Sequence, residues 1–477
     1  MAQHSSTLYN VQGGSPPRTH VRPRNLQTEN IIVRVLHVHH APPSRQKHVQ
    51  GTPSEQVDAN FSSRSPPSGH LCSLHMRSDE EEQRLPRPRV LVLGSGVNGL
   101  TAALTLALEG FAPRIVSADP PFETVSVGAG AIWEYPPFAA TPEELACRLA
   151  LASRPFLDAL SRSGSSTGVV MRRSHYAWRS PPPHVAAPAW RSVVSDFAAG
   201  VDPIYSEELR GGHSHRVPVL FMRAYLAWLL GACATAGVEF LPLRRLRSVR
   251  DVEAAAREAG GGAEGDGSTL TLVVNCLGMG SGEVFGDASM LPIKGQLVYL
   301  HAPHVTDCYD DSDCPDGLTY VVPQSGGVLA CAGAAIEGDG DPEPDAALER
   351  AILARCRRSF PSLAAAPVVG RWAGLRPGRR GGIRIEPETT PGGVSVLHCY
   401  GHAGSGVILS WGSAMRVCEL AVAAARAAGA ELWPRAPPPE LSGFERLKRL
   451  SAAAFRNEAV PPGGHREEAL PMSHSKL

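Results

Sequence analysis

The pattern of apolar and polar positions divides the chain at about residue 88. Residues 1–87 are rich in Pro, Ser, His and Arg and follow no period of 2 or 3.6, which predicts a disordered N-terminal extension. Residues 89–94 form a short aliphatic run, and the helix formers of 98–109 follow it at once. Residues 113–119 have the pattern of a second strand, so the chain predicts a βαβ unit with a parallel strand pair.

The rest of the chain alternates helical and strand patterns. The continuous apolar run at 270–277 is typical of a strand buried on both faces of a parallel sheet. The order of the elements predicts an α/β fold in which a Rossmann-like nucleotide-binding domain is interleaved with a mixed-sheet, α+β second domain. We expect the nucleotide-binding domain at 88–135, 213–282 and 370–430, the second domain at 136–212 and 283–369, and a linker, short helix and tail at 431–477. The other predicted helices span 141–160, 221–237, 345–360, 412–428 and 444–455, and the other predicted strands span 238–243, 294–300 and 319–322, with strands and loops mixed at 169–184.

Composition narrows the classes of function. The chain has 477 residues, 43% of them hydrophobic, and 46 basic residues balance 46 acidic ones. Because the charges balance, the protein has no net charge that would attract nucleic acid or anionic lipid. No run of apolar residues is long enough to span a membrane. The ten cysteines show no spacing typical of zinc ligands. We therefore expect no nucleic-acid, membrane or metal partner.

A glycine-rich turn joins the first predicted strand to the first predicted helix, at Gly94, Ser95, Gly96, Val97, Asn98 and Gly99. This is the position of a GxGxxG dinucleotide fingerprint, in which the glycines allow a tight turn, close approach of a pyrophosphate and close packing of helix on strand. Asp119 lies 20 residues beyond Gly99, where a carboxylate binds an adenosine ribose hydroxyl. A purely structural glycine turn is the alternative, and the strand, helix and acid found together favour the dinucleotide site.

Two more glycine-rich turns suggest which dinucleotide binds. A cofactor contacted by three separate backbone turns is long and enclosed, which favours FAD over an exchanging nicotinamide, although ordinary loop glycines are an equal alternative. The second turn contains Gly128, Ala129, Gly130 and Ala131, and the third contains Gly401, Ala403, Gly404, Ser405, Gly406, Val407 and Ile408.

The motifs of residues 88–425 resemble those of the D-amino-acid oxidase family in their order. The matching motifs are GSGVNGLTAAL at 94–104, VGAGAIW at 127–133, VNCLG at 274–278, KGQ at 294–296, TYVVP at 319–323, GLRPGRRGGIRIE at 374–386, YGHAGSG at 400–406 and the terminal SKL. The resemblance implies a flavoprotein with an FAD-binding and a substrate-binding domain. It also implies oxidation of D-amino acids to imino acids, with molecular oxygen becoming hydrogen peroxide.

The resemblance assigns roles to individual residues. Arg376 is similar to the family arginine that binds the substrate α-carboxylate, Tyr320 to the tyrosine that shares it, and Gly404 to the glycine whose carbonyl accepts the amine. The implied mechanism is hydride transfer from Cα to non-covalently bound FAD, which needs no acid or base residue. We therefore expect a positioning role for His402 rather than a role as base. Positions near the cofactor are matched by Arg384, Leu246 and Gly278, whereas Arg379 and Arg380 are expected to be solvated.

Several residues depart from the family pattern. Ala334 and Ala335 stand where D-aspartate oxidases carry an arginine, so we expect neutral or small polar substrate side chains. Glu134 stands where a neutral residue is commoner and is expected near the substrate. Lys294 replaces an arginine, and Ile408 replaces a hydroxyl residue near the flavin. These departures leave two alternatives open, a catalytically weak FAD-binding homologue and an oxidase of glycine or N-methyl amino acids.

The last three residues give an expected location. Ser475-Lys476-Leu477 has the form of the address that the peroxisomal import receptor reads. An enzyme that makes peroxide is expected beside catalase, so we expect a peroxisomal protein, cytoplasmic before import. Association with a second copy of the chain, as a homodimer, is left open.

Overall fold

The structure is a computed structural model that describes residues 87–134, 143–163, 166–180, 194–260, 271–311 and 313–456. The predicted extension at 1–87, except its last residue, and the C-terminal tripeptide lie outside these residues. The first described element is β1, Arg89–Leu93, which is followed by α1, Val97–Leu108, and β2, Ala112–Val116. β1 and β2 pair in parallel, so the βαβ unit predicted from the sequence is present.

A six-stranded sheet, sheet A, carries this unit. Its strand order is β14-β15-β7-β1-β2-β6, and its pairings are parallel except that between β14 and β15. Strand β1 lies between β2, the next strand along the chain, and β7, which comes much later in the sequence. The remaining strands of sheet A are β6, Glu239–Phe240; β7, Thr271–Asn275; β14, Pro387–Thr389; and β15, Ser395–His398.

A nine-stranded mixed sheet, sheet B, forms the second layer. Its order is β12-β8-β11-β10-β9-β3-β5-β4, and β13 pairs with β8. Most pairings are antiparallel, whereas β3 and β9 run parallel. Its strands are β3, Val169–Trp178; β4, Ser195–Ala199; β5, Gly211–Leu220; β8, Met290–His301; β9, Cys308–Asp311; β10, Thr319–Pro323; β11, Val328–Ala332; β12, Ile336–Glu337; and β13, Val368–Arg379.

The helices cover both sheets, and α1 is the most enclosed of them. Every α1 residue except Asn98 is buried, as expected of a helix that is apolar on all sides. Its two buried threonines are satisfied locally, because each hydroxyl donates to the carbonyl four residues earlier. The other helices are α2, Glu143–Arg162; α3, Met222–Thr235; α4, Val249–Gly260; α5, Gly280–Phe285; α6, Ala346–Ser359; α7, Ser410–Ala427; and α8, Phe444–Arg456.

The alternation of the two sheets along the chain confirms the predicted α/β class with interleaved layers. The expected boundaries at 212/213 and 369/370, however, fall inside β5 and β13. The physical reason is that β5 pairs along its whole length with β3, and β13 pairs with β8 from Val368 to Arg379. Both strands therefore belong to sheet B, including the part of β13 that carries the GLRPGR motif.

Among the described residues, none of the helices combines the length and the apolar character that crossing a membrane requires.

Candidate active site

A cavity of about 650 Å³ brings the three predicted glycine-rich turns together with Tyr320 and Arg376. Its walls are the start of α1, the segment 125–134, the strands β8, β9, β10 and β13 of sheet B with the segment 314–318, and the segment 402–408. The predicted site residues in its lining are Val97, Asn98, Gly128, Ala129, Gly130, Ala131, Glu134, Tyr320, Arg376, Ala403, Gly404, Ser405, Gly406, Val407 and Ile408. The cavity therefore contains all four residues predicted to bind the substrate.

The first glycine turn shapes the entrance of α1 by close packing. Gly94 has φ +101°, and a Cβ there would lie 2.6 Å from the carbonyl oxygen of Cys276. A Cβ on Gly99 would lie 2.0 Å from the carbonyl oxygen of Gly94. Neither position tolerates a side chain, so β1, β7 and the first turn of α1 approach as closely as a dinucleotide turn requires.

The start of α1 presents polar groups toward the cavity. The N-cap Gly96 provides no side-chain cap, and the backbone N–H of Val97 donates to Oγ of Ser126 at 3.1 Å. The side-chain Oδ1 of Asn98 is buried without a hydrogen-bond partner among the described residues. A helix N-terminus attracts phosphate, and a buried acceptor without a protein partner is one that a polar ligand can satisfy.

The second and third turns share an unusual backbone conformation. Ala131 and Ala403 both have φ +48°, a left-handed conformation that residues other than glycine rarely adopt, and both line the cavity. Such strain occurs mainly at ligand sites, where the surrounding structure holds it in place. Gly128 is packed so closely that a Cβ there would lie 2.0 Å from the ring of Trp372 on β13. These features fit a long dinucleotide held by backbone, as predicted for FAD.

Arg376 is held in place by main-chain groups. Its Nη1 donates to the carbonyl oxygen of Ala334 at 2.7 Å and more weakly to that of Lys294 at 3.4 Å. Its guanidinium lies over Gly295, where a Cβ would be 2.5 Å from Cζ. Ala334, which offers no charged side chain to a substrate, therefore contributes its carbonyl group to the orientation of Arg376.

Tyr320 lies on β10 in the same lining. Burial raises the pKa of its phenol, the negative charges of Glu134 and Asp310 act in the same direction, and the nearby Arg376 guanidinium opposes them. Because the net direction is upward, the phenol stays protonated at neutral pH and can donate a hydrogen bond. Tyr320 and Arg376 can thus present an O–H and a guanidinium to one anion.

The register of sheet B explains which strand residues meet in the cavity. Trp372 pairs with Leu297, Leu297 with Ala332, Ala332 with Tyr320, and Tyr320 with Asp310. Residues paired in this way lie on one face of the sheet. This row places Trp372, Leu297 and Asp310 in the lining, although no local sequence pattern indicates them. Ser126 was also missed, and its place beside the predicted second turn could have indicated it.

His402 has the surroundings of a positioning residue. It is buried, lines the cavity, and its Nε2 lies 2.9 Å from Oγ of Ser413 on α7. This contact fixes the ring between the third turn and the helix that follows.

Other predicted cofactor residues lie outside the cavity lining. Ser95 and Asp119 are joined, because the Ser95 hydroxyl donates to the Asp119 backbone carbonyl at 2.8 Å. Leu246 is buried in the core beside sheet A, and Gly278 and Gly401 take positive φ in turns. The predicted cofactor residues that the lining does not include are Gly94, Ser95, Gly96, Gly99, Asp119, Leu246, Gly278, Arg384 and Gly401.

Two arginines differ from their predicted surroundings. Arg384 is engaged away from the cavity lining, where it donates to Glu386, Glu388 and the hydroxyl of Tyr400 at 2.6 to 2.9 Å. Arg379 is not a solvated side chain as predicted, because its Nε forms an ion pair with Asp287 at 2.8 Å. The sequence could not show this partner, which lies 92 residues away. Arg380 is exposed, as predicted.

Asp287 joins these two arginines into one network. Burial pushes the pKa of its carboxyl upward, but hydrogen bonds from Arg379, the Tyr400 hydroxyl and the Ser289 backbone outweigh burial and lower it. Tyr400 directly precedes the third turn. The ionised network therefore anchors the backbone that leads into the cavity.

Comparisons with known proteins agree with this architecture. Residues 89–420 match the family model described as DAO, FAD dependent oxidoreductase. A D-amino-acid oxidase of Rubrobacter xylanophilus is 40% identical over 343 residues, covering 70% of this chain and 96% of the relative. A D-amino-acid oxidase of Streptomyces coelicolor is 33% identical over 338 residues, with the same coverage of both chains. Among solved structures, a glycine oxidase of Geobacillus kaustophilus superposes with a TM-score of 0.57 at 21% identity, covering 75% of this chain and 98% of that one.

Proposed function

The chain belongs to the D-amino-acid oxidase family of FAD-dependent oxidoreductases, and we propose that it oxidises D-amino acids to 2-oxo acids and ammonia with oxygen becoming hydrogen peroxide. One observation carries the proposal. Arg376 and Tyr320, a guanidinium and a protonated phenol, line the same cavity as the backbone turns suited to the dinucleotide. An amino acid carboxylate bound there is held beside the cofactor turns.

The residues of the three turns would hold the cofactor. The N-terminus of α1 and the glycine turn at 94–99 suit its pyrophosphate, and the segments 128–131 and 403–408 supply backbone to the rest. FAD, when bound non-covalently, supplies the two-electron acceptor for the substrate Cα–H bond.

The protein's own residues then orient the substrate. The Arg376 fork and the Tyr320 hydroxyl bind the α-carboxylate, and the carbonyl of Gly404 accepts a hydrogen bond from the α-amine. These contacts fix the stereochemistry at Cα and hold the reacting bond in place, a contribution that comes from orientation rather than from acid–base chemistry. His402, fixed by Ser413, positions the turn that contains Gly404.

The proposal favours neutral or small polar side chains over acidic ones. Ala334 is buried and uses its carbonyl on Arg376, and Ala335 provides no cation. The cavity lining contains no arginine or lysine besides Arg376 within the part of the chain that the structure describes. A second carboxylate on the substrate would therefore find no matching charge.

The purified protein tests the proposal directly. We expect a yellow protein that releases FAD on denaturation. Under anaerobic conditions, D-alanine should bleach the flavin absorbance and L-alanine should not, and in air the same mixture should form peroxide. Absence of bleaching with a panel of D-amino acids would refute the proposal, and bleaching by sarcosine or glycine alone would instead favour an oxidase of glycine or N-methyl amino acids.

The peroxisomal location is part of the same proposal. It is supported by Ser475-Lys476-Leu477, which lies outside the described residues, and by the need to remove peroxide. A fluorescent fusion that keeps these residues at its C-terminus should enter peroxisomes, and a version without them should stay in the cytoplasm.

A further inference from the structure

Two cysteines lie side by side where strands β7 and β15 end. The parallel register pairs His398 with Asn275. The ladder continues one step further, because the backbone N–H of Cys399 donates to the carbonyl oxygen of Asn275 at 2.8 Å. Cys399 therefore stands opposite Cys276 in this register. Both are free thiols in the described part of the chain, and Cys399 is buried whereas Cys276 is partly exposed.

The geometry of this pair suits a disulfide. Neighbouring strands lie about 4.8 Å apart, within the range of about 4.4–6.8 Å between Cα atoms that a disulfide spans. Opposite residues on parallel strands also point to the same face of the sheet. The two thiol groups contact each other, because their mutual hydrogen bond shifts the pKa of both. An S–S bond between Cys276 and Cys399 therefore needs little movement of either strand.

The surroundings of Cys399 make it the more reactive thiol. The hydrogen bond with Cys276 lowers the pKa of Cys399, and a hydrogen bond with His402 and the charge of its ring also lower it, against the effect of burial. The pKa of Cys276 is raised, first by its hydrogen bond with Cys399 and then by burial. The thiolate is the form of cysteine that reacts with oxidants. Cys399 is thus the nucleophile, and Cys276 is the thiol that resolves the intermediate.

The pair also lies beside the cofactor turns. His402 lines the cavity, and Cys399 precedes it by three residues. On the other side, Cβ of Cys276 lies 3.6 Å from the place that a Cβ on Gly99 would take, at the start of α1. Hydrogen peroxide formed in the cavity would therefore arise next to the residue that contacts Cys399.

We propose that Cys276 and Cys399 are a modification site at which hydrogen peroxide converts the two thiols to a disulfide. The Cys399 thiolate attacks one oxygen of the peroxide, and the O–O bond breaks to leave a sulfenic acid and hydroxide, which takes a proton from solvent. The Cys276 sulfur then attacks the sulfenic sulfur, and the sulfenic hydroxyl leaves with the Cys276 proton as water. The thiols lose two electrons in total, and one peroxide is reduced to two waters.

The test treats the reduced holoenzyme with added hydrogen peroxide and identifies linked peptides by mass spectrometry. We expect a cross-link between the peptides that contain Cys276 and Cys399, with the loss of two free thiols, and dithiothreitol should restore both. Cys276→Ser should abolish the cross-link and leave a sulfenic acid on Cys399 that dimedone traps. Cys399→Ser should abolish it too and slow the oxidation of Cys276 at least about tenfold, since the thiolate fraction changes tenfold for each unit of pKa.

A second thiol pair supplies the matched control. Cys331 on β11 and Cys356 on α6 also form a hydrogen bond with each other, but both are fully buried in the core beside sheet B and neither lines the cavity. We expect no cross-link between them, and Cys331→Ser should leave the oxidation of the other pair unchanged.

Two outcomes would overturn the inference. One is that Cys276 and Cys399 remain reduced after the treatment, and the other is that Cys331 and Cys356 become linked to the same extent. The proposed function supplies peroxide during turnover, but the added peroxide makes this test independent of it. A protein that oxidises no D-amino acid would therefore refute the proposed function and leave the result for the thiol pair in force.

Discussion

Replacing Gly99 by alanine should separate α1 from the turn that it packs against. The added Cβ would lie 2.0 Å from the carbonyl oxygen of Gly94 and 2.9 Å from its carbonyl carbon. Carbon and oxygen in close contact lie about 3.3–3.6 Å apart, so the gap must open by roughly 1.3 Å. The obstacle is backbone on both sides, in a region where every neighbouring α1 residue but Asn98 is buried, and no flexible side chain can move aside.

The expected cost of this substitution has two parts. Overpacking in a core typically costs about 1–3 kcal/mol, which lowers the melting temperature by several degrees. The displacement also moves the N-terminus of α1 away from the cavity, so FAD should bind at least about tenfold more weakly, equivalent to about 1.4 kcal/mol. Thermal unfolding and a titration of the apoprotein with FAD measure the two parts separately.

Gly231→Ala is the matched control for this prediction. Gly231 lies inside α3, and a Cβ there would meet no atom within 4 Å. Alanine is preferred to glycine in a helix interior by about 1 kcal/mol, so this variant should melt slightly higher and bind FAD normally. Equal melting temperatures and equal FAD affinities for the two variants would refute the close packing on which the reasoning depends.

The remaining predictions concern the substrate clamp and the response to acid. Arg376→Ala should raise KM by about thirtyfold or more, since loss of one partner of a buried charge pair costs about 2–5 kcal/mol, while FAD still binds; the exposed Arg380→Ala is the control, and an unchanged KM for Arg376→Ala would remove it from the site. Gly295→Ala should raise KM with little change in flavin content, because its Cβ would displace the Arg376 guanidinium, and an unaltered KM would show that the clamp tolerates the displacement. Burial lowers the pKa of His213 from 6.5 to about 4, so the unfolded chain binds more protons and stability falls as the pH drops from 6.5 to about 4. His213→Phe should reduce that loss in urea unfolding at a series of pH values, and an identical pH profile would contradict the assignment.

The parts of the fold that follow from local sequence were predicted well. The βαβ unit and the GxGxxG turn depend on neighbouring residues, so an apolar run, a glycine turn and a helical run were enough to place β1, α1 and β2. Helix α4, Val249–Gly260, was overlooked although its buried positions Val252, Ala255, Ala256 and Ala259 follow helical spacing. The helical spacing of apolar residues was present there, but it consisted mainly of residues with small side chains.

The parts of the site that depend on strand pairing were not predictable in the same way. Asp310 and Trp372 enter the cavity only through the register of β13, β8, β11, β10 and β9, which no local pattern specifies. The resemblance to a family indicated Arg376 and Tyr320, but it could not show that the carbonyl of Ala334 holds Arg376. Likewise, the ion pair of Arg379 with Asp287 depends on the contact between β13 and the segment before β8.

The strand order of sheet A has a consequence for the synthesis of the protein. Strand β7 lies between β1 and β15, and β15 is translated more than a hundred residues after β7. A nascent chain that has not reached residue 398 therefore carries β7 with one unpaired edge, a form prone to intermolecular association. The cavity turn at 402–408 emerges immediately afterwards. A ribosome that stops short of this point releases a chain that needs protection by chaperones, and the cofactor can be captured only after residues 402–408 have emerged.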